Sequence, residues 1–191
     1  IISTDCIEVK KGKVLLMKLF AISGSLQRAS VNTLLLENAA EVIGVRAEMA
    51  DLNLPLYSGD LETEGIPIKV LELASQISAA DAVIIATPEY NKNLSGVLKN
   101  ALDWVSRTKD KPWAGKPVAI MSATAGRSGG ERAQNSLRLC LQPFAPRLLN
   151  GPEVLVGHAQ SAFEDGVLID ARYKAALTAL MRALKESASS R

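Results

Sequence analysis

The chain has 191 residues, of which 48% are hydrophobic, 22% charged and 4% aromatic, which is sufficient for one globular domain with a substantial core. Its net charge of +2 does not indicate a protein that binds nucleic acid or a membrane surface. One histidine and two cysteines exclude a Cys/His structural zinc site and a disulfide framework, so any redox chemistry is expected to depend on a cofactor.

The N-terminal segment is interpreted as a leader outside the fold. Residues 1–16 precede Met17, which stands directly before the first strong strand pattern. Three lysines between residues 10 and 13 precede an apolar run, as in a signal peptide, but Lys18 interrupts that run and no small-residue cleavage site follows. No uncharged apolar stretch reaches membrane-spanning length. The near absence of cysteine favours a cytoplasmic protein.

Five short segments predict the strands of a parallel sheet, at residues 19–22, 45–52, 82–86, 118–121 and 154–156. Four of them are apolar throughout rather than alternating, which is typical of parallel strands covered on both faces. The segment 45–52 alternates apolar and charged residues and is therefore predicted to be an edge strand.

Helical periodicity fills the intervals, at residues 32–43, 66–77, 97–105, 133–141 and 173–184. Pro67 suits a first helical turn, and Ser95 suits an N-cap. Five strand–helix repeats predict an α/β fold: a doubly wound five-stranded parallel sheet with helices on both faces and the flavodoxin-like strand order 2-1-3-4-5. One domain is expected over residues 17–186, followed by a tail at 187–191.

Ligands of such sheets bind at the carboxyl ends of the strands, so the loops after strands 1, 3 and 4 carry the functional predictions. Residues 23–32 contain Ser25, Ser30 and Asn32 before a helix, which is typical of an anion site at a helix N-terminus. Gly24 permits a sharp exit from the strand, and Arg28 could neutralise a phosphate. The same residue types also occur in ordinary connections. Neither a dinucleotide-binding glycine motif nor a Walker motif is present here.

The loop after strand 3 contains Pro88, Glu89, Tyr90 and Asn91, which suit the edge of a planar heteroaromatic ring. Glu89 is interpreted either as a general acid or, more simply, as a solvated or ion-paired loop residue. The loop after strand 4, residues 122–130, is rich in glycine and small residues, which allow the backbone to approach a ligand, and it is also compatible with a plain turn.

These loops, taken together, resemble one family. The matching strings are Gly24-Ser25-Leu26 with Ser30 and Asn32, Pro88-Glu89-Tyr90-Asn91, Ser95 to Trp104, and Gly129 to Gln134. They are similar to the NADPH-dependent FMN reductase family, most closely to its quinone or chromate reductase branch, and the resemblance runs from Met17 to about Leu184. The family's first loop usually has an arginine where this chain has Gln27, followed here by Arg28.

The resemblance implies an FMN-dependent NAD(P)H oxidoreductase that passes electrons by a ping-pong mechanism to quinones, chromate, azo compounds or free flavin. NADPH or NADH would be the co-substrate, flavin N5 would carry the chemistry without a catalytic side chain, and a homodimer or homotetramer is expected. No metal is predicted. The residues expected to bind the cofactor are Ser25, Leu26, Gln27, Arg28, Ser30, Asn32, Pro88, Glu89, Tyr90, Asn91, Ser122, Thr124 and Gly126.

Other functions remain open from the sequence. An electron carrier of the same fold would not oxidise NAD(P)H, but such carriers are typically very acidic, unlike this chain. A flavin-free interaction module would follow if Gln27 abolished phosphate binding. His158 and Cys140 are expected to lie outside the site, Cys140 as a small core residue on a helix.

Overall fold

The computed structural model describes residues 17–190, so the proposed leader and Cys6 lie outside the described residues. The strands are β1 Leu19–Ser23, β2 Ala47–Met49, β3 Ala82–Ala86, β4 Pro117–Ala123, β5 Arg147–Leu148, β6 Leu155–Val156, β7 Phe163–Glu164 and β8 Val167–Leu168. The helices are α1 Val31–Val42, α2 Gly59–Glu64, α3 Ile68–Ala79, α4 Gly96–Val105, α5 Glu131–Leu141, α6 Ala159–Ala162 and α7 Ala171–Ser189, with a 3-10 turn at Gln142–Phe144.

The main sheet is parallel and has the order β2-β1-β3-β4-β5, with β2 at the edge, which confirms the predicted fold and strand order. The last position is divided between two short strands. β5 pairs with the start of β4, at Pro117 and Arg147, whereas β6 pairs with its end, at Ser122 and Leu155. The predicted strand at 154–156 is the second of these. Pro152 lies between the two pieces and has no N–H to donate to a ladder.

Two hydrophobic clusters cover the two faces of the sheet. Ala21 and Ile84 face one cluster, which contains residues of α1 and α7, whereas Phe20 and Ile85 face the other, which contains residues of α3, α4 and α5. Neighbouring residues of a strand point to opposite faces, so strands that are apolar throughout supply both clusters. Helices on both faces are thus confirmed, and Cys140 is partly buried against the second cluster.

Local sequence patterns predicted the start of one helix correctly but missed several short elements. Ser95 caps α4 as predicted, and its Oγ accepts from the Leu98 N–H. Pro67, predicted in a first helical turn, lies instead at the N-cap of α3, one residue before that turn. The short helices α2 and α6 and the hairpin β7–β8 were not predicted. α7 continues to Ser189, so the start of the expected tail is helical. Within residues 17–190, no helix has the length and hydropathy needed to cross a membrane.

Candidate functional site

A cleft of about 390 Å³ opens at the carboxyl ends of β1, β3 and β4, where the fold predicts a ligand. Three connections supply most of its walls: the β1 loop (residues 24–30), the β3 loop (87–95) and the β4 loop (124–130). The predicted site residues that line it are Ser25, Gln27, Ser30, Asn32, Pro88, Glu89, Tyr90, Thr124 and Gly126.

The N-terminus of α1 forms one wall. Ser30 is buried and caps the helix, its Oγ accepting from the Thr33 N–H at 3.4 Å, and Val31 and Asn32 follow it along the cleft. The first turn of α1 has no acidic residue. The first N–H groups of a helix have no intrahelical partners and carry partial positive charge, so this wall favours an anion.

Asn32 holds this wall in place. Its side chain is 2% exposed, and its Nδ2 donates to the Ala123 carbonyl at 2.9 Å while its Oδ1 accepts from the Ala123 N–H at the same distance. Both ends of the amide are therefore used to join α1 to the end of β4. Asn32 lines the cleft, but its side chain acts by positioning the helix N-terminus.

Gly24 lies where the exits of β1 and β3 approach each other closely. Its N–H donates to the Ala86 carbonyl at 2.7 Å, so the backbones of the β1 and β3 exits lie side by side. A Cβ atom at this position would lie 3.0 Å from Ser95 Oγ and 3.2 Å from Thr87 Cα. A side chain here would push the two cleft walls apart.

The β3 loop contributes another wall of the cleft through Pro88 and Tyr90. Tyr90 and Asn93 exchange two backbone hydrogen bonds of 3.0 Å each, which close a tight turn. Tyr90 is 55% exposed although it borders the cleft, so its ring offers a flat surface to a ligand. Asn91 lies in the turn and does not line the cleft.

Glu89 is engaged by a neighbouring helix. Its carboxylate accepts from the Arg132 and Ala133 N–H groups at 3.1 and 3.4 Å and lies 3.5 Å from Arg132 Nη1. The N-cap of α5 is Gly130, which has no side chain, so Glu89 caps this helix from another loop. The structure thus supports the ion-paired interpretation of Glu89 over that of a general acid.

Ser122, which is also predicted to bind the cofactor, is not among the residues that line the cleft. It is fully buried, where its Oγ donates to the Gly129 carbonyl and accepts from Gln134 Nε2 at 2.8 Å. These bonds shape the β4 loop from behind. Gly129 and Gly130 have positive φ values of 63° and 92°, and a Cβ at Gly129 would lie 2.5 Å from the Leu155 carbonyl carbon, so glycine is required there.

Leu26 and Arg28 are exposed and do not line the cleft. Sequence reasoning missed Ala29, Val31, Ala123, Ala125, Ala159 and Gln160. The last two follow β6, whose carboxyl end reaches the same sheet edge, so the strand-end rule applied to the last strand would have found them. His158 lies beside the site rather than away from it, because its N–H donates to the Gly126 carbonyl at 3.3 Å.

Comparisons with known proteins identify the family of the chain. A family model described as NADPH-dependent FMN reductase matches residues 17–161. The chain is 43% identical over 173 residues to the NAD(P)H-dependent FMN reductase of Pseudomonas aeruginosa, covering 88% of this chain and 94% of that protein. It is 38% identical over 161 residues to the quinone reductase of Escherichia coli strain K12, covering 81% and 86%.

A solved structure has the same fold. FerB, a flavoenzyme NAD(P)H:(acceptor) oxidoreductase from Paracoccus denitrificans, superimposes with a TM-score of 0.81 at 28% sequence identity, covering 91% of this chain and 98% of that one. The chain belongs to the NADPH-dependent FMN reductase family.

Proposed function

We propose that this protein is an FMN-dependent NAD(P)H oxidoreductase that passes electrons to quinones or to similar small acceptors. One observation carries the proposal: at the sheet edge where ligands of this fold bind, the cleft ends at a helix N-terminus without acidic residues and is bordered by an exposed tyrosine. An anionic group and a planar group each find a matching wall.

The phosphate end of FMN fits the β1 loop. Ser25 and Ser30 offer hydroxyl groups, Gln27 offers an amide, and the first turn of α1 offers backbone N–H groups. Gln27 takes the place of the family's arginine, so these donors are neutral. The uncharged side chain changes the strength of phosphate binding rather than its location.

The ring end fits the remaining walls. Pro88 and Tyr90 supply apolar and aromatic surface on one side, and residues 124–126 supply small side chains and backbone polar groups on the other. When bound, FMN would accept a hydride from NAD(P)H and reduce the acceptor, which is chemistry that these side chains lack. The chain's own residues would bind, orient the ring and restrict water.

A direct experiment tests this function. Purified protein is incubated with FMN, separated from free flavin, and assayed for NADPH and NADH oxidation with 1,4-benzoquinone. We expect bound FMN, quinone-dependent loss of NAD(P)H absorbance, and parallel double-reciprocal plots, as a ping-pong mechanism requires. Protein that takes up no FMN would overturn the proposal. FMN-loaded protein that is inert to both nicotinamides would instead be an electron carrier.

We also propose that the chain assembles as a homodimer or homotetramer. Large apolar side chains are exposed on its described surface, among them Leu56 at 82%, Ile68 at 75% and Leu139 at 68%. Light scattering during gel filtration tests this, and a monomer at micromolar concentration would contradict it. A cytoplasmic location stays a prediction from the cysteine content.

A further inference from the structure

The β3 loop contains a turn that its sequence does not favour. Asn91 and Lys92 are the two central residues between the paired Tyr90 and Asn93, and their φ values are 50° and 65°. Tight turns with two left-handed central residues favour asparagine followed by glycine. Asparagine tolerates this conformation, whereas a lysine there crowds its Cβ against the backbone.

The Lys92 side chain forms no polar interaction with the described chain that would offset this backbone strain. Its side chain is exposed and makes no hydrogen bond or ion pair within residues 17–190. The turn itself is held by its neighbours, because Asn93 Oδ1 accepts from Ser136 Oγ and from the Leu94 N–H, and Glu89 binds the start of α5. An ammonium group is therefore presented from a fixed backbone, at a position where glycine would cost less free energy.

Lys92 is one of several positively charged residues in the loops that form the cleft. The β1, β3 and β4 loops carry Arg28, Lys92 and Arg127, none of which is ion-paired within the described chain. The carboxylate of these loops, Glu89, is already compensated by Arg132 and by the α5 N-terminus. The three loops at the rim of the cleft thus carry three cations without ion pairs and no uncompensated carboxylate of their own, although the whole chain has a net charge of only +2.

We propose that Lys92 binds a phosphate of the dinucleotide that donates the hydride, and so determines how strongly this chain holds NAD(P)H. This inference rests on the proposed function, because the α1 N-terminus would serve the phosphate of FMN and leaves the rim for a second phosphate-bearing ligand. Quinones are uncharged and need no cation. Lys92 lies two residues beyond Tyr90, which borders the cleft itself.

The Lys92→Gly variant separates this role from a structural one. It relieves the backbone strain, so we expect its melting temperature to rise by about 1–4 °C. It also removes the ammonium group, so we expect KM for NADPH, and Kd for NADP⁺ measured by calorimetry on the FMN-loaded protein, to rise about three- to tenfold. These increases should shrink at high ionic strength. KM for benzoquinone should not rise in the variant.

The Lys185→Ala variant is the matched control, because it removes the same charge from the last turns of α7, which lie against Arg147 beside the start of β4. It should not change nucleotide binding. A loss that is confined to NADPH assigns Lys92 to the 2′-phosphate, and an equal loss for NADH assigns it to the pyrophosphate; both support the proposal. FMN-loaded, active Lys92→Gly protein with unchanged KM and Kd would overturn it while leaving the proposed function intact.

Discussion

Two helices begin at the same edge of the sheet, and their N-termini have opposite surroundings. α1 is capped by its own Ser30 and has no acidic residue in its first turn. α5 begins after Gly130, which offers no cap, and it receives the Glu89 carboxylate from another loop and has Glu131 in its first turn. The positive end of α5 is thus neutralised by the protein, whereas that of α1 faces the cleft without a carboxylate.

This difference shows where an anion can bind. A helix N-terminus beside a cleft is a common feature, but a carboxylate that already accepts its N–H groups leaves none for a ligand. The two ends are also coupled to the cleft walls, α1 through Asn32 and Ala123, and α5 through Glu89 of the β3 loop. Carboxylates can therefore be added or removed at each end to test the comparison.

The largest effect is expected when α1 is made to resemble α5. Ser30→Asp keeps a capping oxygen but places a negative charge where the FMN phosphate would bind. Two charges about 4 Å apart repel by roughly 4 kcal/mol at a moderate effective dielectric constant. We expect FMN affinity, measured by quenching of flavin fluorescence, to fall about 100-fold or more.

Ser58→Asp is the control for this variant. Ser58 caps α2 in the same way, with its Oγ accepting from the Leu61 N–H, but it is exposed and lies outside the cleft. It should leave FMN affinity unchanged. An equal loss in both variants would show that net charge, rather than the α1 N-terminus, governs flavin binding. Circular dichroism confirms that each variant is folded.

The next effect tests a helix C-terminus at the opposite edge. Lys116 is 5% exposed, and its Nζ donates to the Ser78 carbonyl at 2.9 Å and to the Ala80 carbonyl, which together end α3. Lys116→Met keeps the length of the side chain and leaves these carbonyls without that donor. We expect the free energy of unfolding, measured in urea, to fall by about 2 kcal/mol. An unchanged value would show that the ammonium group has no net stabilising effect.

A smaller loss is expected when the cap of α5 is removed. Glu89→Ala leaves the Arg132 and Ala133 N–H groups without their acceptor and should lower the free energy of unfolding by about 1 kcal/mol. Glu89→Gln keeps an acceptor oxygen and should recover most of the loss, because the cap matters more than the long, partly exposed ion pair with Arg132. FMN affinity should weaken in Glu89→Ala, since Pro88 and Tyr90 flank the released residue. If Glu89→Gln is as unstable as Glu89→Ala, charge rather than capping is the cause.

The sequence predicted the sheet order, the α1 anion wall and the three loops because these depend on local patterns: apolar strands, small residues and capping residues. The sequence could not show that the Glu89 carboxylate caps α5, or that both polar atoms of the Asn32 amide are hydrogen-bonded to Ala123. These contacts join residues that are far apart in the chain. Ser122 is predicted as a cofactor-binding residue from its place at a strand end, and only the packed structure reveals that its hydroxyl group bonds to Gly129 and Gln134. Position at a strand end predicts proximity to the site, whereas hydrogen-bond partners decide which polar groups remain for a ligand.

The smallest effect is expected from strengthening the α1 site. Gln27 lines the cleft and is neutral, so Gln27→Arg adds a charge-assisted contact to the FMN phosphate. We expect the Kd for FMN to fall about two- to fourfold at low salt, and less at high salt. Leu26→Arg is the matched control. Leu26 is the neighbour of Gln27 in the chain, but its side chain is 53% exposed and does not line the cleft. If Leu26→Arg tightens FMN binding as much, the gain comes from the added positive charge near the cleft, and Gln27 does not contact the phosphate. A gain that is confined to Gln27→Arg locates the phosphate beside the α1 N-terminus.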